Sequence, residues 1–302
     1  MNRDILACPA CKSSSMSFGP DAVYCPDCGR KYPIGRHDGA DIIDFIPDSA
    51  ARFQNPVQKL WRYLLATSAA EEQNLFDGLR SFDAYDAQHA ECYDLTSGRV
   101  LDIGGGSGVL RRCLGSACEY VDVEPDTGAY ARRSSLGKLD SRLAAPFAFF
   151  RGVAEYLPFR ARTFDIAVMD GMIEHVFDLN CAFSEAFRVL KSGGVLYLAA
   201  DCHGQVVRSG RVSVFRKTLN YCRRAGIIAT VKRAVSRAFF EMRRRMNPWK
   251  DVLDFSEPQV ENGHIYDDLR AHDIIGIAEQ FGFRLEKSQE SGLATVIEFV
   301  KP

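Results

Sequence analysis

Arg99-Val100-Leu101-Asp102-Ile103-Gly104-Gly105-Gly106-Ser107-Gly108 is a short apolar run that passes straight into glycines. The run reads as a strand and the glycines as a tight turn. Glycine takes positive φ at little steric cost and lets a ligand come close to the backbone. In an open α/β sheet such a turn lies at the carboxyl end of the first strand, where ligands bind. Nicotinamide and flavin enzymes also carry a glycine turn, but their G-x-G-x-x-G spacing fails here. With Gly104 and Gly106 as the first two glycines, the third position is Val109. Asp102 ahead of the glycines suits a ligand with an amino-acid end better than a pyrophosphate.

Outward from this turn, short apolar runs alternate with helical patterns. Tyr120-Val-Asp-Val precedes a helical stretch from Thr127 to Arg133, and Phe147-Ala-Phe-Phe follows. Phe164-Asp-Ile-Ala-Val-Met precedes Ala182 to Leu190, and Val195-Leu-Tyr-Leu-Ala-Ala closes the series. Val109 to Leu114 reads as the first helix. Strands alternating with helices predict a parallel sheet covered on both faces. A helix over Asp273 to Phe281 is followed by two strands close in sequence, Arg284 to Ser288 and Ala294 to Val300. So short a connection predicts an antiparallel hairpin at the sheet edge.

These motifs together resemble the class I S-adenosylmethionine (SAM)-dependent methyltransferases, with motifs of the methyltransferase-11 kind. Asp102-Ile-Gly-Gly-Gly-Ser-Gly is similar to the first motif, and Tyr120-Val-Asp122-Val-Glu-Pro to the second strand with its acidic end. Gly152-Val-Ala-Glu-Tyr-Leu-Pro-Phe, Thr163-Phe-Asp165-Ile-Ala-Val-Met, Ile173-Glu-His175-Val and Phe187-Arg-Val-Leu-Lys-Ser-Gly-Gly194 follow in the family's order. The resemblance implies a Rossmann-like sheet with a terminal antiparallel hairpin. It implies that Gly104, Gly105, Gly106 and Gly108 lie against the methionine part of SAM, and that Asp102 positions its amino group. Asp122 would accept hydrogen bonds from both ribose hydroxyls, since a carboxylate pairs two acceptors with the two donors of a diol. Ala154 would offer its N–H to adenine, with Val123, Val153 and Asp170 completing the cofactor set. The family often has Asp where this chain has Val153, and Glu155 is the nearest substitute.

The N-terminal segment carries a different signal. Cys8-Pro-Ala-Cys11 and Cys25-Pro-Asp-Cys28 are two Cys-x-x-Cys pairs separated by thirteen residues. Four thiolates so spaced can close a tetrahedron around Zn²⁺, and with no open position the metal is structural. Disulfides do not suit a reducing compartment, and a redox dithiol would need only one pair. The tail, Tyr32-Pro-Ile with Asp38-Gly39, resembles small zinc ribbons at the front of some methyltransferases. The expected organisation is a zinc ribbon at 1–48, a helical cap or linker at 49–98, and a methyltransferase domain at 99–302. The ribbon is expected to depend on its metal alone, so that Cys25→Ser leaves the rest folded.

Charge is unevenly spread. The net charge is −1. Between Gln205 and Lys250, however, stand thirteen Lys or Arg and one acidic residue, Glu241, leaving that stretch at +12 and the remainder at −13. This stretch lies in an insertion at 203–262 that the fold would place above the carboxyl ends of the strands. Ile228, Val231, Val235, Phe239 and Met242 share a helical face, which suits a lid over an acceptor. The basic surface would attract an acidic or phosphorylated small-molecule acceptor, RNA or an anionic membrane; a solvated helix is the plainer reading.

No apolar run reaches a transmembrane length, and the first residues show no signal-peptide core. A cytoplasmic protein is therefore expected. No Asn-Pro-Pro-Tyr or Asp-Pro-Pro-Tyr follows the fourth strand; the chain reads Met169-Asp-Gly-Met-Ile-Glu-His. That argues against amino methylation and leaves oxygen as the preferred acceptor atom, on a small or glycan-like biosynthetic metabolite. The alternatives are an RNA methyltransferase and a non-catalytic partner protein that keeps the fold. His175 is the candidate general base, because an imidazole titrates near neutrality; a structural histidine at a helix start is the competing reading. His203, His264, Asp170 and Glu174 are weaker candidates.

Overall fold

The structure, a computed structural model, describes residues 3–37, 39–46, 92–125, 129–130, 136–137, 140–143, 145–176, 178–200, 269–291 and 294–302. Of the helical cap or linker expected at 49–98, residues 49–91 lie outside the described residues, as does the basic insertion at 203–262. Within them, two sheets form. The larger contains β5 (Ser97–Ile103), β6 (Ala117–Glu124), β7 (Ala148–Arg151), β8 (Phe164–Asp170), β9 (Leu190–Ala200), β10 (Arg284–Ser291) and β11 (Ala294–Val300). Their order is β10-β11-β9-β8-β5-β6-β7. β5 through β9 run parallel, and β11 is antiparallel to both β9 and β10. The terminal hairpin read from the sequence is present. The order reverses at β5, with β6 on one side and β8 on the other. That reversal is the switch point at which open α/β sheets leave a crevice.

The central strands are buried on both faces, which is why Val100, Leu101, Val121, Val123, Ala167, Val168 and Met169 read as nearly unbroken apolar runs. Helix α1 (Leu179–Val189) covers one face. Asp178 caps it by accepting from the Cys181 N–H at 3.1 Å. Helix α2 (Ala271–Gln280) packs beside α1, burying Ile274 and Ala278. The helix expected after the glycine turn is shorter than its pattern implied. Val109–Cys113 form a single 3-10 turn. The chain must return at once to β6, and the Gly115 N–H donates to the Leu95 carbonyl at 2.7 Å. No side chain fits at Gly115, since a Cβ there would lie 2.2 Å from the Thr96 oxygen.

The smaller sheet is an antiparallel meander of β1 (Ser17–Phe18), β2 (Ala22–Tyr24), β3 (Lys31–His37) and β4 (Ala40–Ile43). It is not a separate body. Leu6 bridges Phe159, with the Ala7 N–H donating to Pro158 O at 3.0 Å and the Arg160 N–H to Ile5 O at 2.8 Å. Asp44 bridges Arg151, and the Phe45 N–H donates to the Arg151 carbonyl at 2.8 Å. Phe45 stands between Tyr32 and Phe150, with ring centroids 5.0 and 6.1 Å away. Leu6, Cys8, Cys25, Phe45, Phe150, Phe159 and Phe164 belong to one continuous apolar core. The N-terminal sheet thus shares an apolar core with the larger sheet across the boundary expected near residue 48.

Candidate functional site

A cleft enclosing about 700 Å³, part of it open to solvent, lies at the carboxyl ends of β5, β6 and β8. Its walls are Gly104, Val123 to Pro125, Gly152 to Glu155, and Gly171, Met172, His175 and Val176. Of the residues singled out from the sequence, Gly104, Val123, Val153, Ala154 and His175 stand in this wall. Asp102, Gly105, Gly106, Gly108, Asp122 and Asp170 do not. Glu155, raised above as the substitute for the family's Asp, is also in the wall; Glu124, Pro125, Gly152, Gly171, Met172 and Val176 complete it and were not singled out. A signal for Glu124 was available: it is two residues past Asp122 on one strand, hence on the same face.

The glycine turn has the expected geometry. Gly104 has φ 74°, and a Cβ there would meet the Met172 side chain at 2.9 Å. The Gly104 N–H donates to Val123 O at 2.8 Å, which ties the turn to β6. A Cβ on Gly105 would lie 2.5 Å from the Asp102 carboxyl, so only glycine lets that carboxylate lie under the turn. The Gly106 N–H donates to Glu124 Oε2 at 3.3 Å.

Below the turn lies a cluster of acids. Asp102 and Asp122 are register partners on β5 and β6 and leave the same face of the sheet. Asp102 accepts a 2.6 Å hydrogen bond from the Tyr120 hydroxyl. Burial pushes its carboxyl up to about 7 despite that bond, and the charges of Asp170 and Glu124 add to the rise. Asp122 is wholly buried, and neither of its oxygens has a hydrogen-bond partner. Burial first, then the charges of Asp102 and Glu124, hold its carboxyl well above the usual range, and the nearby Gly105 amide offsets this only in part. Asp170, at the end of β8, accepts from the Tyr93 hydroxyl at 3.2 Å.

The raised carboxyl of Asp102 has a testable consequence. Below pH 4 it is protonated in both states and costs nothing. Between pH 4 and about 7 the unfolded chain ionises while the folded one holds its proton, so stability falls as pH rises. The slope approaches ~1.4 kcal/mol per pH unit for one proton. Urea unfolding of the ligand-free protein across this window should show that slope, and Asp102→Asn should flatten it. A slope untouched by the substitution assigns it to other groups.

His175 ends a 3-10 turn, Ile173–His175, directly after β8. Its N–H donates to Met172 O at 2.9 Å, which faces the ring's residue towards the cleft. Glu155, also in the wall, accepts from the Asp178 N–H at 3.4 Å and so braces the start of α1.

The four N-terminal cysteines come together. Their sulfur atoms all lie within 4.8 Å of one another. Cys8 and Cys28 sulfurs are 3.6 Å apart, and those of Cys11 and Cys25 are 3.5 Å apart. A tetrahedral zinc with Zn–S bonds of about 2.3 Å needs S–S separations of roughly 3.8 Å. The donor set and its spacing therefore fit that ion. Each knuckle closes with a left-handed residue, Lys12 at φ 64° and Gly29 at φ 73°. The Tyr32 hydroxyl lies 3.0 Å from Cys8 Sγ.

Residues 101–198 match the family model described as a methyltransferase domain. With the strand order above, this gives the α/β part of the chain the class I methyltransferase fold. Over 106 residues the chain is 37% identical to 2-methyl-6-phytyl-1,4-hydroquinone methyltransferase 1, chloroplastic, of Oryza sativa subsp. japonica, covering 35% of this chain and 31% of that protein. It is 34% identical over 106 residues to the malonyl-[acyl-carrier protein] O-methyltransferase of Geobacter sulfurreducens, covering 33% and 38%. Across the curated relatives the matched part spans from 30% to 53% of their length. Among solved structures, the PH0226 protein of Pyrococcus horikoshii OT3 is similar with a TM-score of 0.49 at 18% identity, covering 74% of this chain and 91% of that one. No described helix is long and apolar enough to cross a membrane.

Proposed function

We propose that the chain is a SAM-dependent methyltransferase acting on a small biosynthetic acceptor, with oxygen as the accepting atom. The observation that carries this reading is Asp122: a buried carboxylate with two unpartnered oxygens beneath a glycine turn at the sheet's switch point. Buried polar groups are nearly always paired, and a ribose diol would bring two donors if the turn opens over Asp122 on binding. Bound SAM supplies a methyl group already activated on a sulfonium. The chain's part is to bind and orient. Gly104 gives its backbone to the methionine end, Asp102 holds the amino group, and the Ala154 N–H meets the adenine edge. His175, on the wall beyond Met172, takes the proton of the acceptor as it attacks. The cysteine tetrad holds one structural Zn²⁺.

The malonyl-[acyl-carrier protein] O-methyltransferase among the relatives supports oxygen as acceptor. A carbon acceptor is the second reading, favoured by relatives named ubiquinone/menaquinone biosynthesis C-methyltransferase. The +12 charge of residues 205–250 supports an acidic or phosphorylated acceptor, with RNA or an anionic membrane as the rival contacts. A glycan-like acceptor rests on the sequence reading alone.

Incubating the purified full chain with methyl-labelled SAM tests these readings together. The acceptor panel holds hydroxylated and phosphorylated metabolites, sugars, quinols and RNA. Label on a small hydroxyl compound is the expected result; label on quinol carbon or on RNA selects the alternative. No transfer together with no binding of S-adenosylhomocysteine removes the proposal. On the best acceptor, His175→Ala should lower turnover by ~100-fold or more while leaving cofactor affinity nearly unchanged. Near-normal turnover would leave His175 a structural residue.

A further inference from the structure

The segment Gly152–Tyr156, whose first four residues line the cleft, has little structure of its own. It contains one 3-10 turn, Ala154–Tyr156, closed by the Tyr156 N–H on Val153 O at 3.1 Å. Both of its ends are fastened by the N-terminal cysteine unit. At the near end, Asp44 pairs with the Arg151 guanidinium. The same guanidinium donates through Nε to Pro125 O at 3.0 Å, and Pro125 stands in the cleft wall beside Gly152. Phe45 adds its bond to the Arg151 carbonyl. At the far end, the Leu157 N–H donates to Glu185 Oε2 at 2.9 Å, and that oxygen also receives the Lys12 ammonium at 2.6 Å. Ala7 and Ile5 fix Pro158 and Arg160 through their backbones.

Lys12 has a further peculiarity. It closes the first knuckle in a left-handed conformation, the task Gly29 performs in the second. A side chain is strained there, and glycine would serve the knuckle alone. What lysine adds is an ammonium that reaches across to α1 and meets the acid holding the end of the wall.

We propose that Lys12 and Asp44 are positioning residues through which the metal-binding unit sets the shape of the adenosine end of the cleft. The proposal rests on the reading of the cleft as a SAM site. Neither residue touches the ligand. Lys12 acts through Glu185 and Leu157, and Asp44 acts through Arg151 and Pro125. The cysteine unit is then part of the cofactor site's framework rather than an appended module, and loss of its metal loosens the cleft wall.

The test is calorimetric titration of the zinc-loaded full chain with S-adenosylhomocysteine. Lys12→Met and Asp44→Asn should each weaken binding by about 5- to 20-fold, with one zinc per chain retained and the melting temperature little changed. Lys12→Arg, which keeps a cation of similar reach, should recover most of the affinity. Both variants binding like the wild type would overturn the proposal while leaving the SAM reading intact. A wild type that binds no S-adenosylhomocysteine removes the SAM reading itself. Should a substitution disturb folding, amide exchange of the wild type decides the matter. Chelating the zinc should speed exchange in Gly152–Tyr156 more than in β8, and equal protection before and after would end the proposal.

Discussion

Cys25→Ser is expected to release the metal and to lower the stability of the whole chain. Structural zinc in a small cysteine site contributes on the order of 10 kcal/mol to folding. A serine hydroxyl does not replace a thiolate, so much of that is lost. In a tethered ribbon the loss would stop at the ribbon. Here Cys25 is fully buried in the same core as Phe150, Phe159 and Phe164. Melting the N-terminal unit withdraws Phe45 from Phe150 and Leu6 from Phe159. Emptying one aromatic site alone costs about 3–5 kcal/mol in a core. At ~2–4 °C per kcal/mol for a chain of this size class, the α/β domain itself should melt ~10 °C or more below the wild type. Differential scanning calorimetry with metal analysis gives the answer. An upper transition that stays at the wild-type temperature in the variant would show that the two parts fold independently.

The sheet was legible because its signals are local: β5 runs into its glycines, and each strand is a short apolar run between turns. The cysteine tetrad was legible for the same reason, since two Cys-x-x-Cys pairs fix their own geometry. The join between them was not. Leu6 meets Phe159 across more than 150 positions, and no period or spacing announces such a pair. Nothing local distinguishes Lys12, because its ion pair is with Glu185, far away on α1. The turn at Val109–Cys113 carries a helical pattern, yet the chain must reverse within a few residues to enter β6, and tertiary geometry overrides propensity. Glu124 was overlooked although strand alternation puts it on the face of Asp122. The resemblance puts the ribose role on Asp122, and the structure sets Glu124 in the cleft wall.

Asp122→Asn is expected to move two measurements in opposite directions. In the ligand-free protein the carboxyl of Asp122 is buried beside Asp102 and Glu124, with only the Gly105 amide nearby to offset their charges. Its raised pKa means that stability is lost as pH rises, because the unfolded chain can ionise this group at a pH where the folded chain resists. An amide does not ionise, so the variant should gain stability over the wild type, and the gain should grow as pH rises above the ordinary carboxylate range. Ligand binding should respond the other way. A carboxylate offers two equivalent acceptors to a diol, whereas an amide offers one acceptor and one donor. Loss of a charge-assisted pair costs about 1.5–3 kcal/mol, so S-adenosylhomocysteine affinity should fall by ~10- to 150-fold. A purely structural acid would move stability alone, and a residue outside the site would leave affinity untouched. Glu124→Gln is the matching control, because Glu124 stands in the wall and accepts from the Gly106 N–H. If Glu124→Gln loses the affinity and Asp122→Asn keeps it, the carboxylate that meets the ligand is Glu124, and Asp122 serves only to position the turn above it.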